Sequence, residues 1–187
     1  AVVARTRDAA RHAAAKAKDK GVLTIDPLPP VLTPQQAHAL QQYVLPPMHL
    51  ARSSTEGGAQ GAIARAPHRL QGTFSVGGQE QFYLEGQISY AVPREDGGRH
   101  LNCSTQHPSE MQLLVAHALR VPVNHVQVEC RRMGGGFGGK ESQSAIFACV
   151  AAVAARRRKR PVKLRMDRDD DFIVTGRRHC FWYEYEV

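Results

Sequence analysis

The chain is organised around the stretch Arg132-Met133-Gly134-Gly135-Gly136-Phe137-Gly138-Gly139-Lys140-Glu141, which holds five glycines and one phenylalanine. Before it, residues 123–131 alternate as a strand does, and after it residues 141–157 have the apolar spacing of a buried helix. Glycine permits positive φ angles and a close approach of the main chain to a ligand, and a helix N-terminus favours a negative group. The stretch therefore predicts a strand, a glycine loop and a helix, with the loop as the ligand-binding element.

Spacing alone leaves several interpretations of this loop open. Gly134, Gly136 and Gly139 fit the G-x-G-x-x-G pattern of dinucleotide-binding loops, with Asp167 after the next strand as a candidate ribose ligand. The loop also approaches a phosphate-binding P-loop, but Glu141 stands where a hydroxyl would hold Mg²⁺, and its carboxylate would repel phosphates. A third interpretation is a tight turn that serves packing only, although five glycines are costly to order.

Four segments in a fixed order carry a more specific signal. They are Gly77-Gly78-Gln79-Glu80-Gln81-Phe82-Tyr83-Leu84-Glu85, then Ser104-Thr105-Gln106, then the glycine loop, then Asp167-Arg168-Asp169-Asp170-Asp171 leading to Thr175-Gly176-Arg177-Arg178-His179. Together these segments resemble the molybdenum-binding subunit of the molybdenum hydroxylases, the xanthine oxidase family. The likeness is clear over residues 70–187 and weaker before them.

The resemblance implies an oxidoreductase with xanthine dehydrogenase activity in purine catabolism. Such an enzyme hydroxylates hypoxanthine and xanthine to urate, takes the oxygen from water, and passes electrons through 2Fe-2S and FAD to NAD. The molybdenum is held by a pterin dithiolene, as molybdopterin or as its cytosine dinucleotide form, so the protein need not supply a cluster of metal ligands. The iron–sulfur and FAD groups are expected on a partner chain or another domain, and a hetero-oligomer is expected.

The resemblance also assigns the cofactor-binding residues by position. Gln106 resembles the glutamine whose side-chain amide faces a molybdenum oxygen. Gly135, Gly136, Phe137 and Gly138 resemble the backbone that lies against the pterin and the oxo ligands, where main-chain N–H groups stabilise negative charge. Gln106 and Phe137 are therefore expected nearest to the metal. The alternative for Gln106 is an ordinary polar residue at a strand end.

Substrate recognition is expected at Glu141, which resembles the glutamate that hydrogen-bonds a purine. Related aldehyde oxidases tend to have an apolar residue there, so Glu141 favours xanthine or hypoxanthine over aldehydes. The alternative is an acid that offsets the dipole of the following helix. No catalytic residue is assigned, because the family's general-base glutamate is expected beyond residue 187. The chain is accordingly expected to be a piece of a longer subunit and inactive by itself.

Composition limits which partners, metal sites and cellular locations are expected. Lys and Arg number 25 against 17 Asp and Glu, a formal charge of +8, but the charge is scattered apart from a basic run at residues 156–160. A helix end explains that run, so no nucleic-acid partner is expected. The four cysteines show no C-x-x-C spacing and predict neither a zinc site nor a disulfide framework. No apolar segment is long enough to span a membrane, and a cytoplasmic location is expected.

The predicted fold class is α+β, with three parts along the chain. The resemblance places the end of an α/β hammerhead domain at residues 1–32 and the first part of a mixed-sheet molybdopterin-binding domain at residues 69–187. The stretch between them, residues 33–68, is predicted to be a linker that opens with a short helix. Two functional alternatives remain. One is a nucleotide-binding module that uses the loop from Gly134 to Lys140, and the other is a non-catalytic truncated fragment kept as an assembly surface.

Overall fold

The computed structural model describes residues 1–51 and 56–187, which form six α-helices and six strands. In chain order they are α1 (Arg7–Asp19), α2 (Pro34–Ala39), α3 (Gly58–Arg65), β1 (Gln71–Val76), β2 (Ile88–Pro93), β3 (Arg99–Cys103), α4 (Pro108–Leu119), β4 (Val126–Glu129), α5 (Ser144–Arg158), β5 (Val162–Arg165), α6 (Arg168–Val174) and β6 (Phe181–Glu186). None of the helices in the described ranges is long and apolar enough to cross a membrane.

These elements divide into two compact units. The first unit comprises Ala1–Asp26 and Glu80–Arg178 and contains the glycine loop. The second comprises Pro27–Gln79 and His179–Val187 and contains the β1–β6 pair.

A four-stranded mixed sheet in the order β4-β3-β2-β5 forms the framework of the first unit. Strands β3 and β4 are parallel, because helix α4 carries the chain across between them, whereas β2 pairs antiparallel with both β3 and β5. The mixed sheet with its helices confirms the predicted α+β class.

Helices α4 and α5 cover this sheet and close its core. Met111, Val115 and Leu119 recur four residues apart along α4 and are at most 2% exposed, which places one face of that helix against the core. The buried face of α5 is built from alanines: Ala145, Ala148, Ala151, Ala152 and Ala155. Their small side chains let α5 lie close to Ala91 and Leu101 of the sheet. This packing fixes the end of β4 and the start of α5, between which the glycine loop runs.

The second unit is organised around a two-stranded antiparallel ribbon. Strands β1 and β6 pair over their full length, from Gln71 opposite Glu186 to Val76 opposite Phe181. In the same unit α2 begins with a capping box in which the Thr33 side chain accepts from the N–H of Gln36.

Several sequence predictions concern residues outside the sheet. The Thr6 side chain caps α1 by accepting from the N–H of Ala9. The predicted linker contains α2, the short helix expected there, and also α3, a second helix. Part of that predicted linker, residues 52–55, lies outside the described residues. The apolar segments 1–4 and 22–25 predict two further strands from sequence, and both predictions are wrong, because neither segment has a ladder partner among the residues that the structure describes. The hammerhead assignment and the three domain boundaries stay predictions.

Candidate cofactor-binding site

The loop between β4 and α5 turns through three residues with left-handed backbone. Gly135, Phe137 and Gly138 have φ values of +95°, +51° and +86°. Glycine adopts these angles freely, whereas a phenylalanine at positive φ is strained by roughly 1–2 kcal/mol. The Phe137 side chain is nevertheless 73% exposed at the tip of the loop. The loop thus presents an aromatic ring outward at a conformational cost, which is a feature of ligand-binding loops.

The three glycines of the dinucleotide pattern are required by packing within the chain itself. A Cβ atom on Gly134 would lie 2.5 Å from Cβ of Glu85, one on Gly136 would lie 2.6 Å from Oε1 of Gln106, and one on Gly139 would lie 2.6 Å from Cε1 of Tyr83. These contacts are shorter than any side chain tolerates. The G-x-G-x-x-G spacing is therefore explained without a nucleotide, and it marks where the loop lies against its neighbours.

Gln106 is hydrogen-bonded to this loop through both its main chain and its side chain. Its N–H donates to the carbonyl of Lys140 at 2.9 Å. Its side-chain Oε1 accepts from the N–H groups of Gly138 at 3.0 Å and Lys140 at 3.1 Å. Two N–H donors on one side assign the amide orientation, because only the oxygen can accept them. The Nε2 donor points away from those N–H groups and has no acceptor among the described residues.

The backbone donors of the loop divide into two sets. The N–H of Gly138 is bound by Gln106, and the N–H of Gly139 donates to the Gly136 carbonyl at 2.7 Å. The N–H groups of Gly135, Gly136 and Phe137 donate to no acceptor in residues 1–51 and 56–187. The structure thus brings together all five predicted cofactor residues. It differs from the prediction in one respect, since the Gly138 N–H is engaged by Gln106 and cannot also bind a ligand.

Glu141 lies exposed directly after the loop. In the part of the chain that the structure describes, its carboxylate has no hydrogen-bond or ion-pair partner. Helix α5 begins at Ser144, and its first turn contains no acidic residue. Glu141 precedes that turn without capping it, and its carboxylate is available to a ligand beside the loop.

Three residues beneath the loop were not predicted as a functional cluster: Lys140, Glu85 and Ser104. The Lys140 ammonium is fully buried, 2.8 Å from Oγ of Ser104 and 3.1 Å from Oε2 of Glu85. It also lies 4.7 Å from the centre of the Tyr83 ring, within range of a cation–π interaction. The sequence signal was a lysine directly after the glycines and a glutamate that ends another family segment. A buried ammonium cannot reach the phosphates of a nucleotide, so the P-loop interpretation is excluded by burial as well.

A second buried network connects α6 to the loop. The carboxylate of Asp171 is fully buried and accepts from the Tyr83 hydroxyl at 2.7 Å, the Gln87 N–H at 2.8 Å and the Thr175 hydroxyl at 3.0 Å. Gln87 in turn donates from Nε2 to the carbonyl of Gly139 at 3.0 Å. Burial, followed by the hydrogen bond to Asp171, raises the pKa of the Tyr83 phenol, which stays protonated as a donor.

The acidic segment that precedes α6 serves structure. Asp167, the candidate ribose ligand, forms ion pairs with Arg7 and Arg11. Arg168 lies over the rings of Phe82 and Phe172 and donates to the carbonyls of residues 83 and 84. This segment therefore holds the turn at residues 82–84 and is not a nucleotide contact.

A pterin-held metal fits this set of groups. Within residues 1–51 and 56–187, no three His, Cys, Asp or Glu side chains are grouped so as to hold a metal ion. The groups without partners around the loop include four hydrogen-bond donors, namely Nε2 of Gln106 and the N–H groups of Gly135, Gly136 and Phe137. Donors of this kind suit an electron-rich group that brings its own ligands.

The comparisons with known proteins agree with this chemistry. A model described as the molybdopterin cofactor-binding domain matches residues 43–187, most of the chain. The site and fold therefore define a cofactor-binding domain of that class.

Relatives place that domain in a family. The chain is 48% identical over 136 residues to a xanthine dehydrogenase of Drosophila subobscura, covering 73% of the chain and 10% of the relative. It is 40% identical over its whole length to a xanthine dehydrogenase/oxidase of Gallus gallus and also 40% identical to an aldehyde oxidase 2 of Cavia porcellus, covering 13% and 14% of those relatives. The chain belongs to the molybdenum hydroxylase family. The resemblance inferred from the four segments is thereby confirmed, and the chain spans about an eighth of the relatives' length.

A solved structure supports the fold. The aldehyde oxidoreductase from Desulfovibrio gigas aligns with 68% of the chain and 14% of its own, at a TM-score of 0.60 and 25% identity.

Replacing Gly136 by alanine tests the contact between the loop and Gln106. The new Cβ would lie 2.6, 2.7 and 2.9 Å from Oε1, Cδ and Cγ of Gln106, so alanine fits only if the whole exposed Gln106 side chain rotates away from the loop. We expect little loss of global stability but faster amide hydrogen exchange at Gly138 and Lys140, whose N–H groups lose their acceptor. The measurement is exchange followed by NMR or mass spectrometry on the folded protein.

The matched control is Gly138→Ala, where a Cβ meets no atom within 4 Å but the φ of +86° is unfavourable for alanine. It should lower stability by roughly 1–2 kcal/mol while the amide of Lys140 stays protected. Unchanged exchange at Lys140 in Gly136→Ala would show that Gln106 does not hold the loop.

A pH dependence of stability follows from Glu85. Burial raises the pKa of its carboxyl, but the hydrogen bonds from Ser104, Gly134 and Lys140 together outweigh burial, and the pKa ends below its usual value. The unfolded chain then binds the proton more readily, so this contribution is present above the ordinary carboxyl pKa and is lost as the pH falls through the lowered one. We expect the stability difference between wild type and Glu85→Gln to be largest at neutral pH and to shrink on acidification.

Urea denaturation between neutral and acid pH measures that difference. Glu95→Gln, at an exposed carboxylate with no ion pair among the described residues, is the control and should follow the wild-type curve. A difference for Glu85→Gln that stays constant with pH would contradict the assignment of an ionised Glu85.

Proposed function

We propose that this chain forms part of the molybdenum cofactor site of a xanthine dehydrogenase. The observation that carries the proposal is the fixed orientation of the Gln106 amide. Its oxygen is held by the Gly138 and Lys140 N–H groups, so its Nε2 donor is directed away from the loop. A donor held in this way costs no reorganisation when it meets a negatively polarised group.

The binding surface for the cofactor is formed by Gln106 with the outer side of the loop. The N–H groups of Gly135, Gly136 and Phe137 add three backbone donors, and the exposed Phe137 ring adds an apolar contact beside them. When bound, the cofactor supplies oxygen-atom transfer and two-electron redox chemistry. This chain contributes shape, donors and orientation. The paired charges of Lys140 and Glu85 beneath the loop leave no net charge there.

The substrate is proposed to be a purine, hypoxanthine or xanthine, which would be oriented by Glu141. Overall identity does not choose the substrate, since the chain is 40% identical both to the Gallus gallus xanthine dehydrogenase/oxidase and to the Cavia porcellus aldehyde oxidase 2. The choice rests on Glu141, an exposed carboxylate with no partner in the described residues. A carboxylate can accept from ring N–H groups of a purine, whereas a simple aldehyde offers no such donor.

The remaining machinery is assigned to parts beyond this sequence. A general base is proposed to come from residues after 187, and 2Fe-2S, FAD and the path to NAD from a partner chain or another domain. The assembly is proposed to be a cytoplasmic hetero-oligomer, and the isolated chain is expected to be inactive. The cofactor is proposed to be molybdopterin or its cytosine dinucleotide form.

The structure disfavours the nucleotide-binding alternative. Its lysine is buried, its candidate ribose acid Asp167 pairs with Arg7 and Arg11, and its three glycines are required by packing. The molybdenum content of the whole protein distinguishes the proposal from the alternative of a non-catalytic assembly surface, which predicts no molybdenum.

The first test is molybdenum per chain, measured by elemental analysis on protein purified with the chains that accompany it. Wild type should carry close to one molybdenum. Gln106→Glu keeps an oxygen for the Gly138 and Lys140 N–H groups but replaces the outward donor with an acceptor. It should therefore fold normally and lose molybdenum, while Gln106→Ala should lose both molybdenum and protection of the loop amides.

A full assembly without molybdenum would contradict the proposal. So would full occupancy in Gln106→Glu, because the amide donor would then have no role. Gln127→Glu, at an exposed position of β4 where the side-chain oxygen accepts from Arg94, is the control for the added charge and should retain the wild-type metal content.

A second test addresses the substrate. Glu141→Val should lower kcat/KM for xanthine by about 10- to 150-fold, the equivalent of one hydrogen bond to a charged group. Turnover of an aromatic aldehyde should be retained or improved in the same variant. Glu141→Gln keeps the shape and one acceptor, so its kcat/KM for xanthine should lie between that of wild type and that of Glu141→Val. Equal losses for both substrates would show that Glu141 supports the loop and does not select the purine.

A further inference from the structure

The site contains a cluster formed by Lys140, Glu85 and Ser104, in which the lysine and the serine are buried and the glutamate side chain is 38% exposed. Removing an ammonium from water costs several kcal/mol unless partners compensate it. Here the ammonium of Lys140 has the Glu85 carboxylate, the Ser104 hydroxyl and the face of the Tyr83 ring around it. A charge held under such conditions constrains every group that touches it.

Glu85 connects the two ends of the glycine loop. One carboxylate oxygen, Oε2, accepts from the N–H of Gly134 at 3.0 Å, from Nζ of Lys140 at 3.1 Å and from the Ser104 hydroxyl at 2.6 Å. The Glu85 N–H also donates to the Gly134 carbonyl at 3.0 Å. The first glycine of the loop and the lysine that ends it are thus fixed to the same residue.

Lys140 is also the residue that holds Gln106. Its N–H donates to Oε1 of Gln106, and its carbonyl accepts from the Gln106 N–H and, at 3.2 Å, from the Thr105 hydroxyl. Its side chain therefore determines where its own backbone lies, and its backbone determines where the Gln106 amide points.

We propose that Lys140 and Glu85 are positioning residues for the cofactor site, and that their ion pair fixes the loop and, through Lys140, the direction of the Gln106 donor. The proposal rests on the proposed function. Lys140 is fully buried and Ser104 is 3% exposed, so neither touches the ligand. The Glu85 side chain is 38% exposed, and its Oε2 is engaged by three donors of the chain itself. Enclosure also rules out a serine–lysine nucleophile, because no substrate carbonyl can reach Ser104.

The test compares Lys140→Met, Glu85→Met and the double variant Lys140→Met/Glu85→Met, each in the protein with its accompanying chains. Glu85→Met leaves the buried ammonium of Lys140 without its carboxylate and should lower the melting temperature strongly. Lys140→Met leaves a carboxylate that is 38% exposed to water and should lower it less. The double change removes both charges and should restore much of that loss, since apolar replacement of a buried pair is often neutral for stability. Lys163→Met, on the exposed side of β5, is the control for loss of a lysine.

Three measurements separate positioning from stability. They are amide hydrogen exchange in residues 134–140 against that in β3, molybdenum per chain, and kcat and KM per molybdenum. In the double variant we expect β3 to exchange as in wild type and the loop to exchange tenfold faster or more, the equivalent of a lost charged hydrogen bond. Molybdenum content should fall, and the loaded fraction should lose kcat with KM little changed, because Glu141 is intact.

Wild-type loop protection and metal content in a folded double variant would overturn the proposal and leave the pair with a stabilising role only. If both single variants fail to fold, the double variant alone still tests whether the ion pair positions the loop. Absence of molybdenum from the wild-type assembly would refute the proposed function, whereas the exchange comparison between loop and β3 would still report whether the ion pair orders the loop.

Discussion

The buried ammonium of Lys140 is the constraint on which the loop depends. A charge with no exposure to water is stable only if nearby groups replace its hydration, and three side chains from two segments of the first unit do so. Glu85 comes from the turn before β2, Ser104 from the end of β3, and Tyr83 from the same turn as Glu85. Because these groups are fixed by the sheet, the lysine that they surround is fixed, and the loop that precedes it has little freedom.

This constraint divides the loop into an inner and an outer side. The inner side is occupied by the chain's own groups, with Gly134 against Glu85, Gly136 against Gln106 and Gly139 against Tyr83 at distances that admit no side chain. The outer side keeps the backbone donors that the inner side does not use. The packing and the binding surface cannot be considered separately, because the contacts that hold Gly134, Gly138, Gly139 and Lys140 within the chain leave the N–H groups between them without acceptors.

Local sequence patterns predicted the helices and strands whose formation depends on residues close to one another in the chain. Alternation predicted β4, the apolar spacing after the loop predicted α5, and the family resemblance assigned Gln106 and the loop residues that the structure brings together. Burial of Lys140 was not predictable from its neighbours, because a lysine beside Glu141 is typical of solvent-exposed sequence. Its partners lie 36 and 55 positions away. Helix α6 was missed for a similar reason, since its acidic first turn resembles a loop until Asp171 meets Tyr83 and Gln87.

The same long-range contacts distinguish between the two functions that a glycine motif of this spacing can serve. In a phosphate-binding loop the glycines allow the backbone to surround an anion, and the lysine extends to it as a full charge. In this chain the lysine turns inward, and its charge is balanced by Glu85 before any ligand arrives. The ligand therefore meets neutral N–H donors without a net positive charge. Such a surface favours a group whose negative charge is already balanced by its own metal centre, and it gives little attraction to the triphosphate of a nucleotide. The direction of one lysine side chain thus separates two functions that share a sequence pattern.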